Sequence, residues 1–230
     1  MNEADDSPTH VIFLFDVDNT LLDNDRVAAD LQRHLASEVG VEGAQEYWRI
    51  FEELRTEVGY ADYLGALQRY RAKHPHAQQL LCMSDFLINY PFAERLFPDA
   101  LKAIEHVQQW GPAIILSDGD VVFQPLKISR SGLGNAVSGR VLIYVHKEQE
   151  LDDVEQRYPA EHYVLVDDKL RILAAVKEFW GSRVTTIFVR QGHYAIDPKI
   201  LARYPPADIN IGRIADLLQY QSPELLNQKL

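Results

Sequence analysis

The segment VIFLFDVDNT, residues 11–20, joins five consecutive apolar residues to two carboxylates and a hydroxyl at Asp16, Asp18 and Thr20. Continuous rather than alternating apolarity marks a strand covered on both faces, as in a parallel sheet. Residues 113–117 (AIILS), 141–145 (VLIYV), 163–168 (YVLVDD) and 185–190 (TTIFVR) share that texture. Helical patterns fill the intervals at about 98–110, 120–130, 148–158 and 169–180. Two of them run into the next strand through Trp110-Gly111 and Trp180-Gly181, where each glycine reads as a helix C-cap. This alternation predicts an α/β fold, a doubly wound parallel sheet.

Residues 26–90 break the rhythm. Apolar residues recur there at helical spacing: Val27, Leu31 and Leu35; Tyr47, Phe51, Leu54 and Val58; Tyr60, Leu64 and Leu67; Leu80, Leu87 and Ile88. Gly40, Gly59 and His74-Pro75 punctuate them. The reading is three or four helices inserted between the first two strands. The expected organisation is a catalytic core of residues 1–22 and 92–230 with an all-helical subdomain at 23–91.

A chain of 230 residues, 47% hydrophobic, buries a core without staples. The lone cysteine, Cys82, excludes an intramolecular disulfide, is expected on a buried helix face, and fits a reducing cytoplasm. A formal net charge of -11 argues against nucleic acid as a partner, which demands clustered Lys and Arg. The acidic N-terminus MNEADDSPTH does not read as a signal peptide, and no apolar run approaches a membrane span. The expectation is a soluble, cytoplasmic protein; oligomeric state is not readable.

Four segments place a polar group at the carboxyl end of a buried strand, the edge where open α/β sheets bind ligands. They are Asp16-Val17-Asp18-Asn19-Thr20, Ser117-Asp118-Gly119, Lys147 and Asp167-Asp168. So many carboxylates beside one lysine are costly unless a cation joins them, and hard oxygen ligands at this density suit Mg²⁺. The residue types suit phosphoryl transfer. A carboxylate can attack phosphorus, a second can protonate the leaving alcohol, and a lysine, a hydroxyl and a metal can stabilise equatorial charge.

DVDNT at 16–20, SDG at 117–119, Lys147 and DD at 167–168, in that order, resemble the four motifs of the haloacid-dehalogenase-like superfamily over about residues 10–215. The resemblance includes the place where such proteins insert a helical cap, and implies a Rossmann-like core. It further implies that Asp16 is the nucleophile and a Mg²⁺ ligand. Asp18 would be the general acid/base, with its backbone carbonyl on the metal, and Thr20 would steady the loop. Ser117 and the amide of Asp118 would bind the phosphoryl group, Lys147 would link that group to Asp16, and Asp167 and Asp168 would complete the metal site. Many relatives carry asparagine at position 118. Because adjacent strand residues point to opposite faces, only one of the acidic pair is expected to face the ion squarely, and the resemblance selects Asp168.

The implied activity is hydrolysis of a small phosphorylated metabolite through an aspartyl-phosphate. The alternatives are a phosphomutase or phosphotransferase, and a metal-free 2-haloacid dehalogenase, against which Asp18 and the acidic pair count. A receiver-type phospho-acceptor places its acidic pair first and its lysine last, the reverse of this order. His146, His193 and the His74/His76 pair form no metal-ligand pattern, although His193 follows the fifth strand near the same edge. Tyr47, Trp48, Phe51, Tyr60 and Tyr63 read as subdomain core, and Arg49 and Arg55 as solvated.

Overall fold

The computed structural model of the protein describes residues 9–221 and 224–225. Six strands, β1 (Thr9–Phe15), β2 (Ala113–Asp118), β3 (Val141–Tyr144), β4 (Ala160–Asp167), β5 (Val184–Val189) and β6 (Ile209–Ile211), pair in parallel in the order β3-β2-β1-β4-β5-β6. Pairing steps outward from β1 to β2 and β3, then returns to the other side of β1 with β4. That reversal opens a crevice at the carboxyl ends of the central strands.

Between β1 and β2 lie α1 (Asn24–Val58), α2 (Tyr63–Lys73) and α3 (Leu80–Asn89). Gly40, at φ 76°, leaves helical geometry inside α1 and kinks it where the sequence pattern changes register. His74 ends α2 as its C-cap, directly before Pro75. One correction concerns Cys82: it is exposed, because the inward stripe of α3 runs through Leu80, Met83 and Leu87.

The strand faces are covered on both sides, as the continuous apolar runs require. Val11, Phe13 and Phe15 pack with α4 (Ala100–Val107), α5 (Phe123–Ser131) and α6 (Leu133–Ala136). Ile12 and Leu14 pack on the opposite face with α7 (Leu151–Arg157) and α8 (Leu170–Trp180). Two short helices, α9 (Gly192–Ile196) and α10 (Pro198–Leu201), follow β5.

Gly181 caps α8, its N–H donating to Lys177 O, but α4 ends earlier, with Gln108 as its C-cap. Gly111 has another reason to be glycine: a Cβ there would lie 2.1 Å from the carbonyl oxygen of Val11, so the chain enters β2 through a contact that only glycine permits. Among the described residues no helix is long and apolar enough to cross a membrane. Residues 1–8, which include most of the acidic N-terminus, lie outside the described residues.

Candidate active site

The candidate reacting groups assemble where β1 ends. The Asp16 N–H donates to Val166 O at 3.0 Å, carrying the ladder one residue past the strand. The chain then turns back on itself: Val17 O accepts from the amides of Thr20, Leu21 and Leu22. Asn19 adopts φ 62° to make this turn, a conformation asparagine tolerates better than most side chains. The turn brings Thr20 Oγ1 to 3.3 Å from Asp16 Oδ2.

Lys147 enters from a single 3₁₀ turn after β3 and is wholly buried. Its Nζ lies 2.5 Å from Asp16 Oδ1, 2.7 Å from Asp167 Oδ2 and 3.2 Å from Leu116 O. One ammonium thus ties together the ends of β1, β2 and β4. Asp16, Asp167 and Asp168 each offer a carboxylate oxygen to a cluster whose atoms all lie within 4.8 Å of one another. Asp167 also accepts from the Lys169 amide at 2.8 Å, whereas neither oxygen of buried Asp168 meets a partner among the described residues.

The expectation from strand alternation does not hold. β4 stops at Asp167, so Asp168 has left the pleat, and both carboxylates turn into one site.

Burial and charge set these groups apart. Burial raises the Asp16 carboxyl pKa, yet Lys147 and then Lys169 outweigh it and leave the group below its usual value. Burial pushes Asp167 up to about 6, although Lys147 opposes the shift. Asp168 is pushed well above the usual range by burial, with Lys169 opposing and the carboxylates of Asp167 and Asp16 adding to the rise. The nucleophile candidate is therefore held ionised, while burial works against the charge on both acidic neighbours and most strongly on Asp168.

Ser117 and Asp118 close β2. Ser117 is buried, its hydroxyl accepting from Gln124 Nε2 at 2.8 Å. Asp118 Oδ1 accepts from the Lys147 amide at 2.8 Å, so its side chain helps fix the lysine turn, and burial raises its pKa. Asp18 stands apart from the trio. Its Oδ1 receives Lys127 Nζ at 2.6 Å, and the same ammonium donates to Asn24 Oδ1 at 3.0 Å.

Asp18, Asp118, Gly119, Lys127 and Lys169 border a cavity of about 490 Å³ whose opposite wall is built by Trp48, Phe51, Arg55, Tyr60 and Tyr63 of the inserted helical region. Phe51 and Tyr63 are buried and Trp48 and Tyr60 half-buried, so these aromatics serve the helical core and the cavity wall together. Arg49 is solvated and paired with Glu53, but Arg55 turns toward the core and donates to Tyr194 Oη.

Several residues of the site escape a reading by motif. Lys127 follows no motif, but the inward face of α5 is Phe123, Gln124, Lys127, Ile128 and Ser131, and a charge on that helical stripe signals a buried partner. Lys169 directly follows the acidic pair. Burial works against its ammonium, but Asp16, Asp168 and Asp167 raise its pKa well above the usual value. His193 meets Asp25 through both its amide (2.8 Å) and Nδ1 (2.6 Å), and Asp25 in turn holds Asn19. His74 pairs with Glu46 at 2.8 Å, and neither residue borders the cavity.

The model of the haloacid dehalogenase-like hydrolase family matches residues 11–193. A solved structure from Burkholderia xenovorans LB400, described as a haloacid dehalogenase-like hydrolase, is 61% identical, with a TM-score of 0.90, 95% of this chain covered and 99% of that one. More distant solved structures share the fold. The L-2-haloacid dehalogenase of Xanthobacter autotrophicus with chloropropionic acid covalently bound is 18% identical (TM-score 0.58, 90% and 96% covered). The magnesium-bound HAD-hydrolase YfnB of Bacillus subtilis is 20% identical (TM-score 0.60, 95% and 99% covered). No curated protein sequence matches.

Proposed function

The chain belongs to the haloacid dehalogenase-like hydrolases, and from that premise we propose that it is a Mg²⁺-dependent phosphatase that hydrolyses a small phosphorylated metabolite through a phosphorylated Asp16. The fold neighbours include a magnesium-bound hydrolase and a dehalogenase, so the choice rests on this chain's own residues.

The observation that carries the reading is the buried Asp168 carboxylate, both oxygens unpartnered among the described residues, against Asp16 and Asp167. An orphaned buried carboxylate costs several kcal/mol unless it stays protonated or meets a cation, and three hard oxygen donors at this spacing fit Mg²⁺. Asp16, Asp167 and Asp168 would hold the ion, which supplies charge neutralisation for the trio and for the phosphoryl oxygens.

The remaining chemistry belongs to the side chains. Lys147 keeps Asp16 ionised, and a carboxylate oxygen of Asp16 attacks phosphorus as the ester P–O bond breaks. Asp18, held through Oδ1 by Lys127, gives a proton to the departing alkoxide and then takes one from the water that attacks the acyl phosphate, which restores Asp16. Ser117, which follows the Leu116 carbonyl that accepts from Lys147, donates its hydroxyl to a phosphoryl oxygen.

The test is phosphate release from a panel of phosphorylated metabolites. Activity should vanish with a chelator and return with Mg²⁺. Chloride release from 2-chloropropionate in the presence of chelator, with no phosphate release in Mg²⁺, would overturn the reading.

A further inference from the structure

The cavity in front of Asp18 reverses the charge balance of the chain. The whole protein carries 34 acidic residues against 23 Lys and Arg. The cavity is bordered by five of the basic residues, Arg55, Lys127, Lys169, Arg171 and Arg203, against four carboxylates.

Those four carboxylates are already engaged. Asp18 holds Lys127, Asp118 accepts from the Lys147 amide, and Asp25 is shared by Asn19 and His193. Glu52 lies 3.6 Å from Arg55. The two lysines serve the floor: Lys127 at Asp18, and Lys169 toward Asp16 and Asp168.

Every basic residue that remains is an arginine, and all three keep part of the side chain in solvent. Arg55 and Arg171 have side chains 39% and 46% exposed, and Arg203 is exposed. Arg55 lies against Glu52 and spends one donor on the neutral Tyr194 hydroxyl, and Arg171 pairs with Glu148, which does not border the cavity, so each fork keeps further N–H donors. Arg203 meets no carboxylate among the described residues. A guanidinium offers parallel donors in a fixed fork that matches a carboxylate or a phosphate. A cavity of about 490 Å³ also accommodates far more than the phosphoryl group that the floor would take.

From this arrangement we infer that Arg55, Arg171 and Arg203 form a second anion subsite, so that the substrate carries a carboxylate or a second phosphate on its leaving-group side. The inference rests on the reading that the phosphoryl group sits at Asp16, because that fixes which end of the substrate faces the rim. General electrostatic steering by the same arginines would favour all phosphate esters alike. A subsite instead discriminates between esters that differ only in their distal group.

The test is calorimetric binding to Asp16→Asn, in which no probe is consumed, with Mg²⁺ present. One arm compares 6-phosphogluconate with sorbitol 6-phosphate, which differ by a carboxylate in place of a hydroxymethyl group. The other compares fructose 1,6-bisphosphate with fructose 6-phosphate. At least one doubly anionic probe should bind about tenfold tighter than its reference, and the arm that shows the gain identifies the group recognised. Arg203→Gln, a change at an exposed side chain, should cut that ratio to about threefold or less, and Arg55→Gln should do the same. Ratios near one in both arms, no binding of any probe, or an unchanged ratio in both variants would overturn the inference. Failure of the phosphatase reading shows separately: the binding ratio would stand while the wild-type protein released no phosphate from any probe.

Discussion

Replacing Lys147 with methionine removes one ammonium and leaves the apolar stem nearly intact, which makes it the sharpest probe of the buried site. Lys147 is wholly buried and pairs with Asp16 at 2.5 Å and Asp167 at 2.7 Å. Removing one member of a buried ion pair costs about 3–5 kcal/mol, because a charge is left uncompensated. For a chain of this length each kcal/mol corresponds to roughly 2–4 °C in Tm, so the melting temperature without added metal should fall by about 6–20 °C at neutral pH.

The pH dependence has a definite sign. The pKa of Lys147 is raised above its usual value by Asp16 and Asp167 against burial, so the lysine keeps its proton throughout the neutral range and its contribution would fade only in strong alkali. What changes near neutrality is the carboxylates. Asp167, raised to about 6, is largely ionised above that pH and protonated below it. The gap between wild type and Lys147→Met should therefore be widest above pH 6 and shrink as pH falls toward 4. Chemical denaturation across pH 4–8 reads it directly. A gap below about 1 kcal/mol at pH 7.5, or one that widens in acid, would refute the reasoning.

Other perturbations isolate single roles. Asp18→Asn should slow phosphate release by about a hundredfold or more with the fold intact, and mass spectrometry of the quenched reaction should show phosphate retained on Asp16; near-normal turnover would remove Asp18 from the chemistry. Lys127→Met should lower kcat more for alkyl than for aryl phosphates, since a poor leaving group depends most on a well-placed Asp18; equal losses would make Lys127 merely structural. Asp168→Ala should weaken Mg²⁺ binding in calorimetry more than Asp167→Ala, because Asp167 is partly spent on Lys147 and the Lys169 amide; equal effects would leave the two ligands equivalent. Gly192→Ala should cost about 2 kcal/mol in denaturation experiments, because Gly192 sits at φ 71° and a Cβ would come within 2.5 Å of the Asn19 side chain.

The sheet was legible because strands buried on both faces carry continuous apolar runs, as in residues 11–15 of β1, 113–116 of β2, 163–166 of β4 and 187–189 of β5. β6 escaped notice for the same physical reason: three residues, Ile209–Ile211, are too few to establish any texture, and they pair only as an edge. The four groups of motif residues were legible through their position at strand ends. Their contacts were not. Lys127 reaches Asp18 across 109 positions of chain, and Arg55 reaches Tyr194 across 139, pairings that no local pattern encodes. Cys82 was misplaced by assuming an all-apolar helix face where α3 buries only a narrow stripe.

The acidic pair shows where local rules stop and charge takes over. Strand periodicity would send Asp167 and Asp168 to opposite faces, but the pleat ends at Asp167 and both carboxylates enter the space already holding Asp16. That space contains one fully buried ammonium, Lys147, with Lys169 at its border. Two cations do not neutralise three carboxylates, and Asp168 is the one left without a partner. Retaining a proton relieves the imbalance, in keeping with its raised pKa, while a divalent cation relieves it with all three groups ionised. The same arithmetic makes the charge on Asp16 depend chiefly on both lysines, which lead the contributions that hold it ionised against its burial. On the proposed reading such a site takes a cation and a dianionic substrate together, and the proposed arginine subsite would extend that preference to the distal group of the substrate.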